Sequence, residues 1–388
     1  MYLFITPLMK RISCGFDECG EILFIDASGN IDRFGCKVFM IYSNSCAGGL
    51  PGALAGRSEK GPKLFMSDDS AAERSALNKV FPESTLLLCI FHILQAAWRY
   101  LWDSNHGVPL LHRQALYSLV KEMIYSKNSE ELTNKFNAAL QNNLVKKYPK
   151  FISYLNTLYN RKEQWALCFR KGLLTRGQNT NNISEAGMKI IKDVILERTK
   201  AYSPVQLFFF IVNELEAFYE MKLFDIAANR PPQYLKNKFN ISKSEKDNLE
   251  YKQIDTLIFE VKNKHKQTEY NVDLDLGICS CPQGNTGFPC KHQIVIASDL
   301  KMDLNLCLPS IKSFVNSFQH NVRTHASLSS AMQTFGKYSG LNPNSKKPKL
   351  MGNKQIGTQP TARSQIKRKP FNSEQLPSKT PKTPHSLS

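Results

Sequence analysis

The hydrophobic pattern of the chain changes from strands to helices and then back to a strand. Short apolar or alternating runs dominate before residue 92, and apolar residues at helical spacing follow them. The predicted strands are residues 21–25, 38–42, 63–66 and 85–91, and the predicted helices are residues 71–80, 113–174, 182–197 and 202–223. Strands that come first and then alternate with helices indicate an α/β fold with a site at the edge of its sheet.

Four potential metal ligands, Cys279, Cys281, Cys290 and His292, lie within fourteen residues near the C-terminal third. They form the pairs C-x-C and C-x-H, and the Pro- and Gly-rich segment between the pairs can fold back to bring them together. Cys₃His is a common ligand set of structural Zn²⁺ sites. The alternative is a group of unrelated buried thiols. Four ligands at this spacing favour a zinc site.

This pattern resembles the SWIM zinc finger, whose signature is C-x-C, a variable gap and then C-x-H. Alternating apolar residues at 270–276 predict a half-buried strand before the ligands, and residues 293–300 predict a short helix after them. Such fingers occur in DNA-associated and in protein-binding modules alike. The motif therefore indicates the metal more strongly than the partner.

The composition of the chain indicates what kind of partner it binds. The chain has 388 residues, a normal hydrophobic content of 42% and a net charge of +18. Such an excess of Lys and Arg points to a polyanion, and nucleic acid is the first candidate. The alternative is a basic tail that only solubilises or targets the chain. No apolar run has membrane-spanning length, and ten cysteines without a secretory signal indicate a reducing compartment.

Three carboxylates stand where catalytic metal ligands are often found. Asp26 and Asp68 each follow a predicted strand, and Glu185 lies at the predicted start of a helix. If they converge, they could hold one or two Mg²⁺ ions for phosphodiester chemistry. The alternative is that the aspartates serve turns and that Glu185 belongs to a helix cap.

A second resemblance bears on this choice. The segments F-I-D-A-S-G, F-M-S-D-D-S-A-A-E and T-N-N-I-S-E-A-G are similar to those that carry the carboxylates of Mutator-like element (MULE) transposases. The resemblance implies a ribonuclease-H-like core with a helical insertion, and Asp26, Asp68 and Glu185 as its metal-binding catalytic triad. Cys89 and His92 match the C-x-x-H pair of that family. Their alternative roles are a buried strand thiol and a capping histidine.

The resemblance also implies the order of the domains. A transposase-like domain would cover residues 1–225 with its helical insertion at about 93–175, and residues 226–250 would form a linker. A SWIM finger would follow at 251–308 and a disordered basic tail at 309–388. Lys- and Arg-rich clusters in this tail are typical of nuclear-localisation or phosphate-contact segments. The alternative is a solvated end without such a role.

One departure from the family argues against catalysis. In relatives with this fold, a helix separates the third strand from the strand that carries the second Asp. Here only about four residues, 59–62, are free to connect the segment that starts at Leu50 to the strand before Asp68, whereas adjacent parallel strands need a dozen or more. The chain also begins just before its first core strand, which suggests a shortened copy. The leading hypothesis is thus a zinc-binding, DNA-associated protein without catalysis. An active Mg²⁺-dependent transposase and a protein-interaction module are the alternatives.

Overall fold

The computed structural model describes residues 5–16, 18–45, 48–52, 61–201, 203–227, 241–266 and 268–300. The predicted tail at 309–388 lies outside the described residues, as does the centre of the predicted linker, at 228–240. The described residues form a mixed α/β fold with two sheets.

The first sheet and its helices take up the first part of the chain. Its elements are α1 (Pro7–Gly15), α2 (Glu18–Glu21), β1 (Ile22–Ser28), β2 (Val38–Ser45), β3 (Gly48–Pro51), β4 (Leu64–Ser67), α3 (Ala71–Val80) and β5 (Thr85–Leu88). The strands lie in the order β3-β2-β1-β4-β5. β2 is antiparallel to β1 and β3, whereas β4 is parallel to β1 and β5. The carboxyl ends of β1, β4 and β5 therefore meet at one edge.

The predicted connection at 59–62 lies partly outside the described residues. β3 ends at Pro51 and β4 begins at Leu64, and residues 53–60 between them are not described. β2 and β1 lie between β3 and β4 in the sheet, so these two strands are not adjacent. The length of the connection therefore stays a prediction.

The apolar run at 85–91 is shorter as a strand than predicted. β5 ends at Leu88, Cys89 caps the next helix, and α4 (Ile90–Trp102) already includes the last two residues of the run. Leu88, Cys89 and Ile90 are all buried. A buried strand end and a buried helix start have the same apolar composition, so composition alone could not separate them.

A block of helices follows and has a core of its own. Its members are α4, α5 (Leu110–Ile124), α6 (Ser129–Gln141), α7 (Asn143–Lys146), α8 (Pro149–Tyr159), α9 (Lys162–Trp165) and the 3₁₀ turns Ser104–His106 and Leu167–Arg170. Leu116, Val120, Leu155 and Trp165 are fully buried in this core. The block corresponds to the helical insertion predicted at about 93–175.

The chain then returns to the first sheet. α10 (Asn182–Ile190) continues as a π-helical turn (Ile191–Ile195), and α11 (Pro204–Phe209), a second π turn (Phe210–Leu215) and α12 (Glu216–Ala227) follow. Gly187 lies against the ring of Tyr42, and a Cβ at this position would come within 2.1 Å of that ring. This close approach sets α10 directly on the sheet.

The second sheet belongs to a smaller unit. It comprises α13 (Lys243–Asp247), β6 (Leu249–Asp255), β7 (Ile258–Asn263), β8 (Glu269–Asp273), β9 (Ile278–Cys279) and α14 (Lys291–Asp299). The four strands are antiparallel in the order β6-β7-β8-β9. The predicted strand before the ligands and the predicted helix after them are confirmed as β8 and α14. α13 and the start of β6 fall within the predicted linker at 226–250.

Candidate functional site

The four predicted zinc ligands form one buried cluster. Cys279, Cys281, Cys290 and His292 are at most 5% exposed, and their ligand atoms all lie within 4.8 Å of one another. Nδ1 of His292 is 3.6 Å from Sγ of Cys279 and 3.7 Å from Sγ of Cys290. Tetrahedral zinc, with Zn–S of about 2.3 Å and Zn–N of about 2.1 Å, separates such ligands by about 3.6 Å. The cluster thus has the size of a structural zinc site.

Local backbone structure holds the ligands in place. β9 ends at Cys279, a tight turn follows, and Cys290 is the residue that caps α14. The backbone N–H of Gly284 donates to Sγ of Cys281, and the amide of Cys281 donates to Sγ of Cys279. A Cβ at Gly284 would lie 2.5 Å from the Cβ of Cys279, so only glycine permits this turn.

The protonation of the three thiols also favours a cation. Hydrogen bonds from Cys279 and then from Cys290 lower the pKa of Cys281. A hydrogen bond with Cys281 raises the pKa of Cys279 to about 12. A divalent metal ion would stabilise all three as thiolates, because it binds the deprotonated form.

Arg176 joins the zinc cluster to the first sheet. Its guanidinium pairs with both carboxylate oxygens of Glu21, at 2.6 and 2.7 Å. The same group donates to the backbone carbonyls of Leu276, Gly277 and Gly287. The side chains of Arg176 and Glu21 are only 8% and 14% exposed. The segment around the Cys/His cluster is therefore fixed to the core through a buried charged contact.

The carboxylates Asp26, Asp68 and Glu185 lie together at the edge of the first sheet. Phe24 pairs with Met66 in the parallel register of β1 and β4, which brings Asp26 and Asp68, two residues further on, side by side. His92 on α4 lies between Asp68 and Glu185: its Nδ1 is 2.7 Å from Oδ1 of Asp68, and its Nε2 is 3.8 Å from Oε1 of Glu185. β1, β4, α4 and α10 thus each contribute one residue.

Burial and neighbouring charges shift the pKa values of residues in this cluster. Burial, and then the charge of Asp68, raise the pKa of Asp26 to about 6, and Glu185 adds to the effect. Burial acts to lower the pKa of His92, but contacts with Asp68 and Cys89 outweigh it and raise the pKa to about 10. A protonated His92 therefore offsets part of the negative charge, and a metal cation would offset it as well.

Two residues that sequence reasoning missed complete the cluster. Burial, then the charges of Asp68 and Asp26, raise the pKa of Glu73 on α3 to about 7. Asn181 is fully buried and donates from its side chain to the carbonyl of Ile25, at 2.7 Å, and to Asp68, at 3.4 Å. Glu73 belongs to the motif F-M-S-D-D-S-A-A-E, and Asn181 belongs to T-N-N-I-S-E. The spacing of residues within these motifs does not predict what Glu73 or Asn181 contacts.

Cys89 and His92 lie at the junction of β5 and α4. Cys89 is completely buried, and its Sγ accepts a hydrogen bond from the backbone N–H of Asn181 at 3.2 Å. One atom each of Cys89, His92 and Glu185 lies within 4.8 Å of the others. The C-x-x-H pair thus lies beside the predicted carboxylates.

Comparison with known proteins gives one family. Residues 52–96 match the model described as the MULE transposase domain. This match supports an origin from a MULE transposase. The matched segment covers β4, α3 and β5 and includes Asp68, Glu73, Cys89 and His92, but it does not reach Asp26, Glu185 or the zinc cluster.

A search of curated proteins and the lengths of the helices add two findings. No curated protein matches the chain. Among the described residues, no helix combines the length and the apolar character that a membrane crossing requires.

Proposed function

We propose that this chain is a zinc-binding, DNA-associated protein derived from a MULE transposase, with a SWIM-type finger as a structural part of its core. The observation that carries the proposal is the buried cluster of Cys279, Cys281, Cys290 and His292, which has the separations of a zinc site. The match at residues 52–96 supplies the transposase origin.

The identity of the finger is supported by its order of elements. The C-x-C pair follows a strand hairpin, the C-x-H pair opens α14, and a turn rich in Gly and Pro joins the two pairs. The finger is also docked on the core through Arg176, so its zinc would stabilise more than the small second sheet. A structural role for zinc follows from both features.

DNA association is supported by charge. Residues 341–388 contain ten Lys or Arg and one acid, which accounts for half of the net charge of +18. Clusters such as K-K-P-K and K-R-K-P suit contacts with phosphates and uptake into the nucleus. We therefore propose a nuclear protein that binds DNA mainly through its phosphates.

Salt dependence tests this binding. The full chain is titrated with a labelled 30-base-pair duplex between 50 and 200 mM salt, where six to ten phosphate contacts would lower the affinity by about 10³–10⁵. Replacing Lys367, Arg368 and Lys369 by Gln should reduce the slope of log affinity against log salt by up to about 3. Replacing the exposed Lys121, Lys146 and Lys147 of the helical block by Gln is the matched control.

Two outcomes would contradict DNA association through the tail. A duplex affinity that does not change with salt would exclude a phosphate-based contact and favour a protein partner. An equal loss of slope in the tail variant and in the control variant would indicate a contact that is spread over the whole surface.

Catalysis is a second candidate function, and the convergence of Asp26, Asp68 and Glu185 is the observation that favours it. The strand order β3-β2-β1-β4-β5, with three antiparallel strands followed by two parallel ones, suits a ribonuclease-H-like core. Mg²⁺ held by these carboxylates would supply Lewis-acid catalysis of phosphodiester transfer.

A cleavage assay separates the two candidates. The full chain and the variants Asp68→Asn and Glu185→Gln are compared on duplex DNA with and without Mg²⁺. A catalytic core predicts Mg²⁺-dependent strand cleavage that either substitution lowers by at least about 10²-fold, because a ligand of the catalytic metal is lost. Cleavage that is equal in all three proteins would come from a contaminating nuclease.

A further inference from the structure

The cluster of Cys89, His92 and Glu185 in the first domain contains more metal ligands than the C-x-x-H pair alone provides. A cysteine and a histidine are too few for a zinc site. The fold adds Glu185 from α10, and one ligand atom of each residue lies within 4.8 Å of the others. This group shares no residue with the four-ligand cluster of the finger.

Backbone contacts hold the main chain of Cys89 and Glu185 in place. The N–H of Cys89 donates to the carbonyl of Ser67 at the end of β4, at 3.0 Å. Asn181 connects the two halves of the group, because its N–H donates to Sγ of Cys89 and its carbonyl accepts from the N–H of Glu185. The β5–α4 junction and the start of α10 therefore form one rigid frame around the cluster.

Asp68 contacts His92 in the way that a carboxylate usually contacts a metal-binding histidine. It contacts Nδ1 of His92 at 2.7 Å, while Nε2 faces Glu185. A metal-bound imidazole commonly gives its other ring nitrogen to a carboxylate, which fixes the ring and increases its basicity. Asp68 is thus in place to orient His92 toward an ion.

The separation between the imidazole and the carboxylate is close to the one that zinc requires. Nε2 of His92 and Oε1 of Glu185 are 3.8 Å apart. Zn–N and Zn–O bonds of about 2.1 Å give a tetrahedral separation of about 3.4 Å, so a shift of a few tenths of an ångström is sufficient. The finger cluster, at 3.6 and 3.7 Å, provides an internal standard for this comparison.

The chemistry of the ligands selects the ion. A thiolate is a soft ligand that Mg²⁺ avoids, whereas zinc binds sulfur, imidazole and carboxylate together. We propose that Cys89, His92 and Glu185 bind a second zinc ion, with Asp68 as a positioning residue and solvent in the fourth place. The side chains of His92 and Glu185 are 23% and 32% exposed, so an ion can reach the site.

This site goes beyond the proposed function and does not depend on DNA binding or on catalysis. It has a consequence for the catalytic candidate, however, because Glu185 and Asp68 belong to both metal sites. Zinc bound by Glu185 would compete with Mg²⁺ at the carboxylates.

Metal content of the full chain tests the proposal. After dialysis against dilute Zn²⁺, the wild type should hold two zinc ions per chain, and Cys89→Ser should hold one. Cys168→Ser is the matched control, since Cys168 is a half-buried thiol far from both clusters in the sequence, and it should retain two. One zinc ion in the wild type, or two in Cys89→Ser, would overturn the proposal.

Two substitutions that keep the buried thiol distinguish the loss of a zinc ligand from misfolding of Cys89→Ser. Asp68→Asn should weaken the second zinc about 10–100-fold, which is the usual effect of removing an orienting carboxylate. Glu185→Gln should weaken it further, because a direct ligand is lost. With Co²⁺ in place of zinc, the second equivalent should add a charge-transfer band smaller than the first, since one thiolate binds instead of three. Unchanged affinity in both variants would also refute the site.

Discussion

The zinc cluster and the carboxylate cluster are assembled in opposite ways. The four ligands of the finger lie within fourteen residues, are almost completely buried and hold one another at separations that suit zinc. The carboxylate cluster draws Asp26, Asp68 and Glu185 from β1, β4 and α10, and its members remain partly exposed. The difference shows that one site depends on a local turn and the other on the register of a whole sheet.

The two clusters also differ in how they relate to stability. The three cysteines of the finger belong to its hydrophobic core, together with residues such as Val272 and Ile296. Burial, and then the charge of Asp68, raise the pKa of Asp26 in the first sheet, so the fold disfavours its ionised form. Metal should thus be needed to fold the finger, whereas the carboxylate cluster lies on a sheet with a hydrophobic core of its own.

The largest expected effect is the loss of zinc from the finger. Cys281→Ala should unfold residues 241–300, because structural zinc in small modules contributes about 10–16 kcal/mol of apparent binding free energy. Limited proteolysis and zinc content measure the effect. Asp68→Asn should leave this region resistant to protease. A finger that stays resistant in Cys281→Ala would show that its hydrophobic core suffices without metal.

A smaller effect is expected at the contact that joins the two regions. Arg176→Met leaves Glu21 buried without its partner and should lower the free energy of unfolding by about 3–5 kcal/mol. Arg161→Met is the matched control, because Arg161 also pairs bidentately with an acid, Asp69, but at the surface. Its loss should cost about 1 kcal/mol or less. Urea denaturation measures the free energy of unfolding of both variants. An equal decrease in the two variants would contradict a buried ion pair between Arg176 and Glu21.

The smallest effect concerns the burial of Asp26 beside the charge of Asp68. Asp26 has a pKa of about 6 in the folded chain, against 3.8 ordinarily. The folded state therefore binds more protons than the unfolded state, and this carboxyl destabilises the chain as pH rises from about 4 to 6. Asp26→Asn removes the penalty, so its advantage over the wild type should grow by about 1 kcal/mol from pH 5 to 7.

The measurement is urea denaturation of both proteins in Mg²⁺-free buffer that contains zinc, at several pH values. Added Mg²⁺ should stabilise the wild type more than Asp26→Asn, because the variant lacks one of the three carboxylates. A difference between the two proteins that stays constant with pH would mean that Asp26 has an ordinary pKa.

Much of the zinc site could be predicted from the sequence, since its ligands are close neighbours. The spacing of Cys279 and Cys281, the glycines after them and the helix that follows Cys290 are all local features. Its attachment to the core was not predictable, because Arg176 and Glu21 are 155 residues apart and meet only in the folded chain.

The sequence by itself determined the elements and the ligand types of this protein. It placed the helical block, α10 and the zinc pairs, because hydrophobic period and residue spacing act over a few turns of chain. Only the tertiary structure decided which of these chemical groups meet. The parallel register of β1 and β4 brings Asp26 to Asp68, and the packing of α10 on the sheet brings Glu185 to His92 and Cys89. Such contacts depend on strand order and close packing, which no local pattern encodes.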